Sequence, residues 1–282
     1  MTNKRVCTLQ DISCLGQCSI TVALPIISAC GVETIIMPAA VLSTHTGEFT
    51  GYTIRDLSDD LPGIMNHWMK EGQIFDCLYT GYLANITQIE FVSELRKNVI
   101  TEDGLLIVDP AMADNGRLYA GFDSEFVSHM AGLCGKADII LPNITEASLM
   151  TGIEYVGGLH NTDYIETLLN RLSSLGAKKI VLKGIHFEEN KIGVAVYDSD
   201  TSAIQYYFTD KIGNGTHGTG DCYAAAFTGS LMQGYSVYES AKTAADFVVD
   251  CIKATIDDKS HWYGVKFEKA LPGLVAKVNK QI

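Results

Sequence analysis

Apolar residues along this chain follow two alternating rhythms. Short apolar and β-branched runs at Arg5–Leu9, Thr34–Met37, Ile74–Thr80, Gly104–Val108, Ala137–Leu141 and Lys179–Leu182 predict buried strands. Between them lie segments of helical period. One covers about Ser19 to Cys30 and is ended by Gly31, with Pro25 inside it as an expected kink. Leu57 to Gly72 places Leu61, Ile64, Met65 and Trp68 on one face, and Thr87–Val99, Phe126–Cys134 and Tyr164–Leu175 continue the series. Gly193–Tyr197 and Ala203–Phe208 flank Asp198-Ser-Asp200, which reads as a hairpin. Three helices close the chain: Cys222–Gln233, one opened by the capping box Ser236-x-x-Glu239, and one from about Phe267. Strand–helix alternation over most of the length predicts a three-layer α/β/α fold. Its central sheet is mostly parallel, with antiparallel strands at one edge. No repeat, low-complexity tract or linker divides the chain, so the expectation is one domain over residues 1–282. The polar stretch Ala40–Tyr52 breaks the pattern and reads as a pair of short strands or a flap, with a small flap expected at about 40–56.

Composition narrows the function classes. The 282 residues are 47% hydrophobic and 19% charged, the profile of an ordinary globular protein. The net charge of −12 and the lack of a basic stripe argue against a nucleic-acid partner. No apolar run is long enough to span a membrane, and Met1–Arg5 leads straight into a strand without a signal-peptide core. The eight cysteines are scattered, and Cys14-x-x-x-Cys18 lacks a second cluster to make a zinc site. Reduced thiols in a cytoplasmic protein are the expectation.

The candidate chemistry centres on Gly213-Asn-Gly-Thr-His-Gly-Thr-Gly-Asp221, which opens a helix of small residues. Glycines let a backbone turn sharply and approach a ligand closely. The helix N-terminus leaves N–H groups free and favours negative charge. Gly218, Thr219 and Gly220 can point amides at an anion, and Asp221 beside them suits a general base. Gly213-x-Gly215-x-x-Gly218 also matches the dinucleotide fingerprint, but the acidic residue at the expected distance, Glu239, falls in a helical pattern. No Gly-Lys-Ser/Thr follows, so the stretch is not a Walker loop. Asp11 and Asp109 stand at strand carboxyl ends, where open α/β sheets bind ligands. Several other positions stay open between two roles. Asp11 is a helix cap or a ligand, and Asp114 is a second acidic group or a plain Asp-Asn-Gly turn. Asn143-x-x-Glu146 is a cap or holds water around Mg²⁺. Lys183 is a phosphate contact or a solvated strand end.

The Thr-His-Gly-Thr-Gly-Asp string resembles the signature of the ribokinase-like superfamily, and the nearer likeness is to pyridoxal/pyridoxamine kinases. The motifs that carry it run in order from Gln10-Asp11 through Ser43-Thr-His-Thr-Gly47, Gly81-Tyr-Leu83, Asp109-Pro110 and Pro142-Asn-x-x-Glu146 to Gly218-Thr-Gly-Asp221. The resemblance implies ATP-dependent phosphorylation of the 5′-hydroxymethyl group of a vitamin B6 compound, with Asp221 as base and Gly218, Thr219 and Gly220 as anion hole. It implies Mg²⁺ near Asp109, Asn143 and Glu146, and nucleotide contacts at Asp109, Asp114, Asn143, Glu146, Lys183, Gly215 and His217. It implies a substrate pocket of Asp11, Ser43, His45, Thr46 and Tyr82, and a homodimer formed through the early strands and flap. Three positions depart from the pattern. Asp11 stands where many pyridoxal kinases have Ser, and Leu141 where a Thr often touches nucleotide. Lys183-Gly184 resembles instead the hydroxymethylpyrimidine kinases, the second reading.

Overall fold

The computed structural model describes residues 4–213 and 215–279, so Met1–Asn3, Asn214 of the glycine-rich stretch and Lys280–Ile282 lie outside the described residues. In chain order the elements are β1 (Arg5–Ser13), α1 (Ile20–Ala29), β2 (Glu33–Leu42), β3 (Ile54–Asp56), α2 (Leu61–Lys70), β4 (Phe75–Thr80), α3 (Ile86–Val99) and β5 (Ile100–Val108). They continue with β6 (Ala113–Asp114), β7 (Arg117–Leu118), α4 (Ser124–Cys134), β8 (Ile139–Ile140), α5 (Ile144–Thr151), α6 (Thr162–Ser174), β9 (Lys179–Ile185), β10 (Lys191–Asp198) and β11 (Ala203–Asp210). The chain ends with α7 (Thr219–Met232), α8 (Val237–Thr255) and α9 (Phe267–Val278).

The described residues build a nine-stranded sheet in the order β11-β10-β9-β8-β5-β4-β1-β2-β3. The six strands from β2 to β9 run parallel. β10 and β11 add the expected antiparallel edge. The opposite edge is antiparallel too, which corrects the one-edge expectation: β3 pairs with β2 at Ala40↔Asp56 and Leu42↔Ile54. Those pairs bracket residues 43–53, so the flap leaves and re-enters the sheet at adjacent points.

Side chains alternate across each strand and feed two cores. One face packs Leu9, Leu78, Val108 and Leu182 under α2 to α6, and the other packs Val6, Tyr79, Ile107 and Val181 under α1, α7, α8 and α9. Strands buried on both faces explain the continuous apolar runs. Most helix starts are finished by a side chain. Asn85 caps α3, Asp123 caps α4, Asn161 caps α6, and capping boxes open α5 (Asn143, Glu146) and α8 (Ser236, Glu239).

The strand order reverses direction at β1, with β2 laid on one side and β4 on the other. A crevice opens at such a point beyond the strands' carboxyl ends. Asp11 and Lys183 stand two residues before the ends of β1 and β9, and Tyr82, Asp109 and Asn143 lie just past the ends of β4, β5 and β8. β1 runs further than the predicted Arg5–Leu9, and Asp11 sits inside it at a register shift between Gln10 and Ile12. An irregularity of this kind re-aims a side chain at a sheet's rim.

Candidate active site

α7 starts at Gly218, which has φ 78° and offers no side-chain cap. The backbone there needs glycine twice over. Its φ is left-handed, and a Cβ would sit 1.8 Å from the Gln17 carbonyl oxygen. The first-turn amides of α7 therefore have no side-chain acceptor, and a Cβ added at Gly220 would meet nothing within 4 Å. α1 presents a second uncapped start beside it: Ser19, φ 56°, has no side-chain cap bond, and α1 packs on α7. A non-glycine residue at positive φ is strained backbone, of the kind that collects at functional sites.

Asp221 lies in the first turn of α7. Burial pushes its carboxyl up to about 7, reinforced by Asp109 and Asp11 and opposed by the Ser19 amide and Lys183. Asp11 is 3% exposed and accepts from the Ser13 hydroxyl at 2.8 Å. Burial raises its pKa, and hydrogen bonds from Ser19 and Ser13 work the other way. Tyr82 stands 5.5 Å from Phe122, ring centre to ring centre, and its hydroxyl is pushed up to about 12 by burial and then by Asp11. The structure thus brings Asp221, Asp11, Asp109 and Lys183 into one electrostatic neighbourhood, with Tyr82 on the Asp11 side.

Asp109 and Lys183 form a buried ion pair, with Nζ 2.9 and 3.1 Å from the two carboxylate oxygens. Burial pulls the ammonium pKa down, but Asp109 and Glu146 outweigh it and the lysine stays protonated. The Lys183 ammonium also lies 5.9 Å over the Tyr223 ring. Glu146 is 1% exposed, and its oxygens accept from Met112 N–H at 3.1 Å and Asn143 N–H at 2.8 Å. Burial, then Asp109, raises it to about 8. Asn143 accepts from Glu146 N–H at 2.9 Å and donates to the Ala113 carbonyl at 2.8 Å. Among the described residues no group of three His, Cys, Asp or Glu side chains converges as a metal cage.

The other predicted positions are more dispersed. Asp114 is exposed, and both its oxygens accept from Asn115 in a small β6–β7 hairpin. Ser43 ties the flap's ends together, its Oγ accepting from Thr53 N–H at 2.9 Å. Thr46 is exposed on the flap. His45 is buried and uses both ring nitrogens on backbone groups. Gly215 is exposed, and His217 packs on the flap, 5.1 Å from His45. Sequence reading missed Gln17, Ser19 and the α8–α9 connection carrying Trp262 and Tyr263. The run His261-Trp262-Tyr263-Gly264 inside a polar linker was the available signal for the last.

Residues 27–265 match the family model for phosphomethylpyrimidine kinase. This chain belongs to that family. A hydroxymethylpyrimidine/phosphomethylpyrimidine kinase of Bacillus subtilis is 31% identical over 186 residues, covering 64% of this chain and 65% of that protein. The matched part thus spans just under two thirds of that relative's length. Pyridoxal kinase from Lactobacillus plantarum superposes with a TM-score of 0.88 at 29% identity, over 97% of both chains. A Bacteroides thetaiotaomicron protein, provisionally described as a phosphomethylpyrimidine kinase and solved in a crystal form with pyridoxal, gives 0.91 at 34% identity. That match covers 97% of this chain and 96% of the other. The ribokinase-like fold and the kinship with pyridoxal kinases, both expected from the motifs, hold for this family member.

Proposed function

We propose that this protein transfers the γ-phosphoryl group of ATP to a hydroxymethyl group on an aromatic nitrogen heterocycle, with a vitamin B6 vitamer as the preferred acceptor. The observation that carries the reading is Asp221, held near pKa 7 in the first turn of a helix whose start is left uncapped. A carboxylate with that pKa is well matched to take a hydroxyl proton at neutral pH. The acceptor oxygen forms a bond to the γ-phosphorus, the bond to the bridging oxygen breaks and ADP leaves, and the hydroxyl proton passes to Asp221. The amides at Gly218, Thr219 and Gly220 offset the charge on the transferred group, which is most of what a protein contributes to phosphoryl transfer. Lys183 adds a fixed positive charge beside Asp109.

Asp11 and Tyr82 wall the ring pocket in this reading, and Asp11 suits a cationic amine or pyridinium nitrogen. Asp109, Asn143 and Glu146 offer the hard oxygen donors that Mg²⁺ takes, but their oxygens already serve Lys183 and backbone amides. Mg²⁺ entering with the nucleotide would rest mainly on phosphate oxygens and reach these side chains through water. When bound, it neutralises phosphate charge.

Lys183 favours a second reading within the same chemistry, a hydroxymethylpyrimidine kinase, and the Bacillus relative supports it. ADP release measured with pyridoxamine, pyridoxal, pyridoxine and hydroxymethylpyrimidine separates the two. Turnover of any of them that vanishes in Asp221→Ala supports the shared chemistry. ATP binding without ADP release across the panel overturns it. For the vitamer preference, Asp11→Ser is expected to lower the pyridoxamine/pyridoxal ratio of kcat/KM, and an unchanged ratio rejects the role given to that carboxylate.

A further inference from the structure

Four connections meet at the mouth of the crevice: residues 14–19, the flap 43–53, residues 215–218 and the α8–α9 connection 256–266. His45 lies where they converge and is 5% exposed. Its Nδ1 accepts from Gly47 N–H at 3.0 Å, so that nitrogen carries no proton. Nε2 therefore bears the hydrogen and donates it to the Tyr263 carbonyl, 2.7 Å away and 218 residues along the chain. The ring's placement is tight, because a Cβ at Gly16 would come within 2.2 Å of it. Its other faces meet Phe49 at 5.0 Å and His217 at 5.1 Å. His217 in turn faces Glu48 at 3.8 Å. On the solvent side Phe49 packs 4.6 Å from Trp262, which is 45% exposed.

We propose that His45 is a positioning residue that latches the flap to the α8–α9 connection, with the Phe49–Trp262 pair as its outer half. Both ring nitrogens are committed to backbone groups, which leaves none for a substrate. The latch is built from one neutral hydrogen bond across the junction and one aromatic contact, each weak compared with the buried ion pair deeper in the crevice. The junction can therefore part to admit a flat ring and re-form behind it. This rests on the kinase reading, because the flap matters to turnover only if the crevice holds the acceptor.

Trp262 reports the junction directly. The other tryptophan, Trp68, packs against Phe75 on the opposite face of the sheet and can be removed as Trp68→Phe. In that background, acrylamide quenching of Trp262 is measured with His45 intact, with His45→Phe and with His45→Gln. Phenylalanine keeps the ring but loses both hydrogen bonds, whereas glutamine can accept and donate at once. His45→Phe is expected to steepen the quenching slope and to raise KM for the ring substrate on the order of tenfold, the worth of one hydrogen bond. KM for ATP and kcat should hold within about threefold, about 0.65 kcal/mol, since no group touching the phosphate changes. His45→Gln should recover most of the loss. An unchanged quenching slope overturns the latch. So does a large fall in kcat at constant KM, which would place His45 in the chemical step. Unaltered His45 protein is assayed first: no ADP release there refutes the kinase reading, and normal release with an inert Trp262 refutes only the latch.

Discussion

α5 and α7 both begin at the carboxyl edge of the sheet, and both carry one acid in the first turn, but their ends are treated differently. At α5 the Asn143 side chain takes the Glu146 amide and Glu146 takes the Asn143 amide, so the helix start satisfies itself. At α7 the corresponding position is Gly218, which has no side chain to offer, and Asp221 feels the charges of Asp109 and Asp11 and a hydrogen bond from the Ser19 amide. One end satisfies itself and the other has no side-chain cap, which in the proposed reading is where the phosphates of ATP lie. Burial raises both acids, Glu146 to about 8 and Asp221 to about 7, so the difference lies in their partners rather than in their degree of perturbation. A shifted acid alone would not have told the two apart.

The largest break in the comparison comes from Asp221. Asp221→Asn should lower kcat by about 10²–10⁴, the usual worth of a general base. It should also stabilise the protein at alkaline pH. The folded-state pKa is raised above its unfolded value, so the contribution of this group to stability is fully present below the unfolded pKa. That contribution is lost as pH rises from there through about 7. The asparagine carries no such loss, so its Tm should exceed the native value at pH 8 and converge with it near pH 4. Thermal melts at the two pH values, beside an ADP-release assay, test both halves.

Lys183 is next. Removing it leaves Asp109 and Glu146 buried with no nearby cation among the described residues. Lys183→Met should cost about 3–5 kcal/mol, as expected for an orphaned buried charge. If the loss, read by urea denaturation at pH 8, is under about 1 kcal/mol, the pair is not the anchor assigned to it. Smaller is the native pH profile. With Asp221 acting deprotonated, kcat/KM should climb about tenfold per pH unit below about 7 and level off above it. A flat profile from pH 5 to 8 would remove the base from the mechanism.

Much of this contrast was legible before any coordinates. The glycine string, the acid at its end and the Asn-x-x-Glu box are local patterns, written within one turn of chain. The strand–helix alternation fixed the layers for the same reason. What escaped depends on partners distant in sequence. Lys183 could not be seen as the partner of Asp109, because 74 residues separate them and β8 must first bring their strands together. The bond from His45 to the Tyr263 carbonyl was not legible either, because that carbonyl lies 218 residues away in a connection without periodicity. A pair of short strands was one reading of the flap stretch, but that β3, only three exposed residues long, pairs with β2 as a second sheet edge was not legible. The extra length of β1 past Leu9 escaped too, since no sequence signal marks the irregularity that lets it run on through Asp11 to Ser13.

The smallest prediction tests the finished end itself. Asn143→Ala deletes the acceptor for the Glu146 amide and the donor to the Ala113 carbonyl, while Glu146 still accepts from the amides of residues 143 and 112. A lost N-cap of this kind costs about 0.5–2 kcal/mol. If α5 is mainly scaffolding, with Asn143 reaching Mg²⁺ only through water, that loss should appear in the Tm with kcat lowered by less than about tenfold, because the amides at α7 and the acid at 221 are untouched. A fall in kcat of a hundredfold with normal stability would mean the opposite. Asn143 would then be acting directly on the nucleotide or its metal ion rather than through water, and the two helix ends would share the work that the contrast assigns mainly to α7.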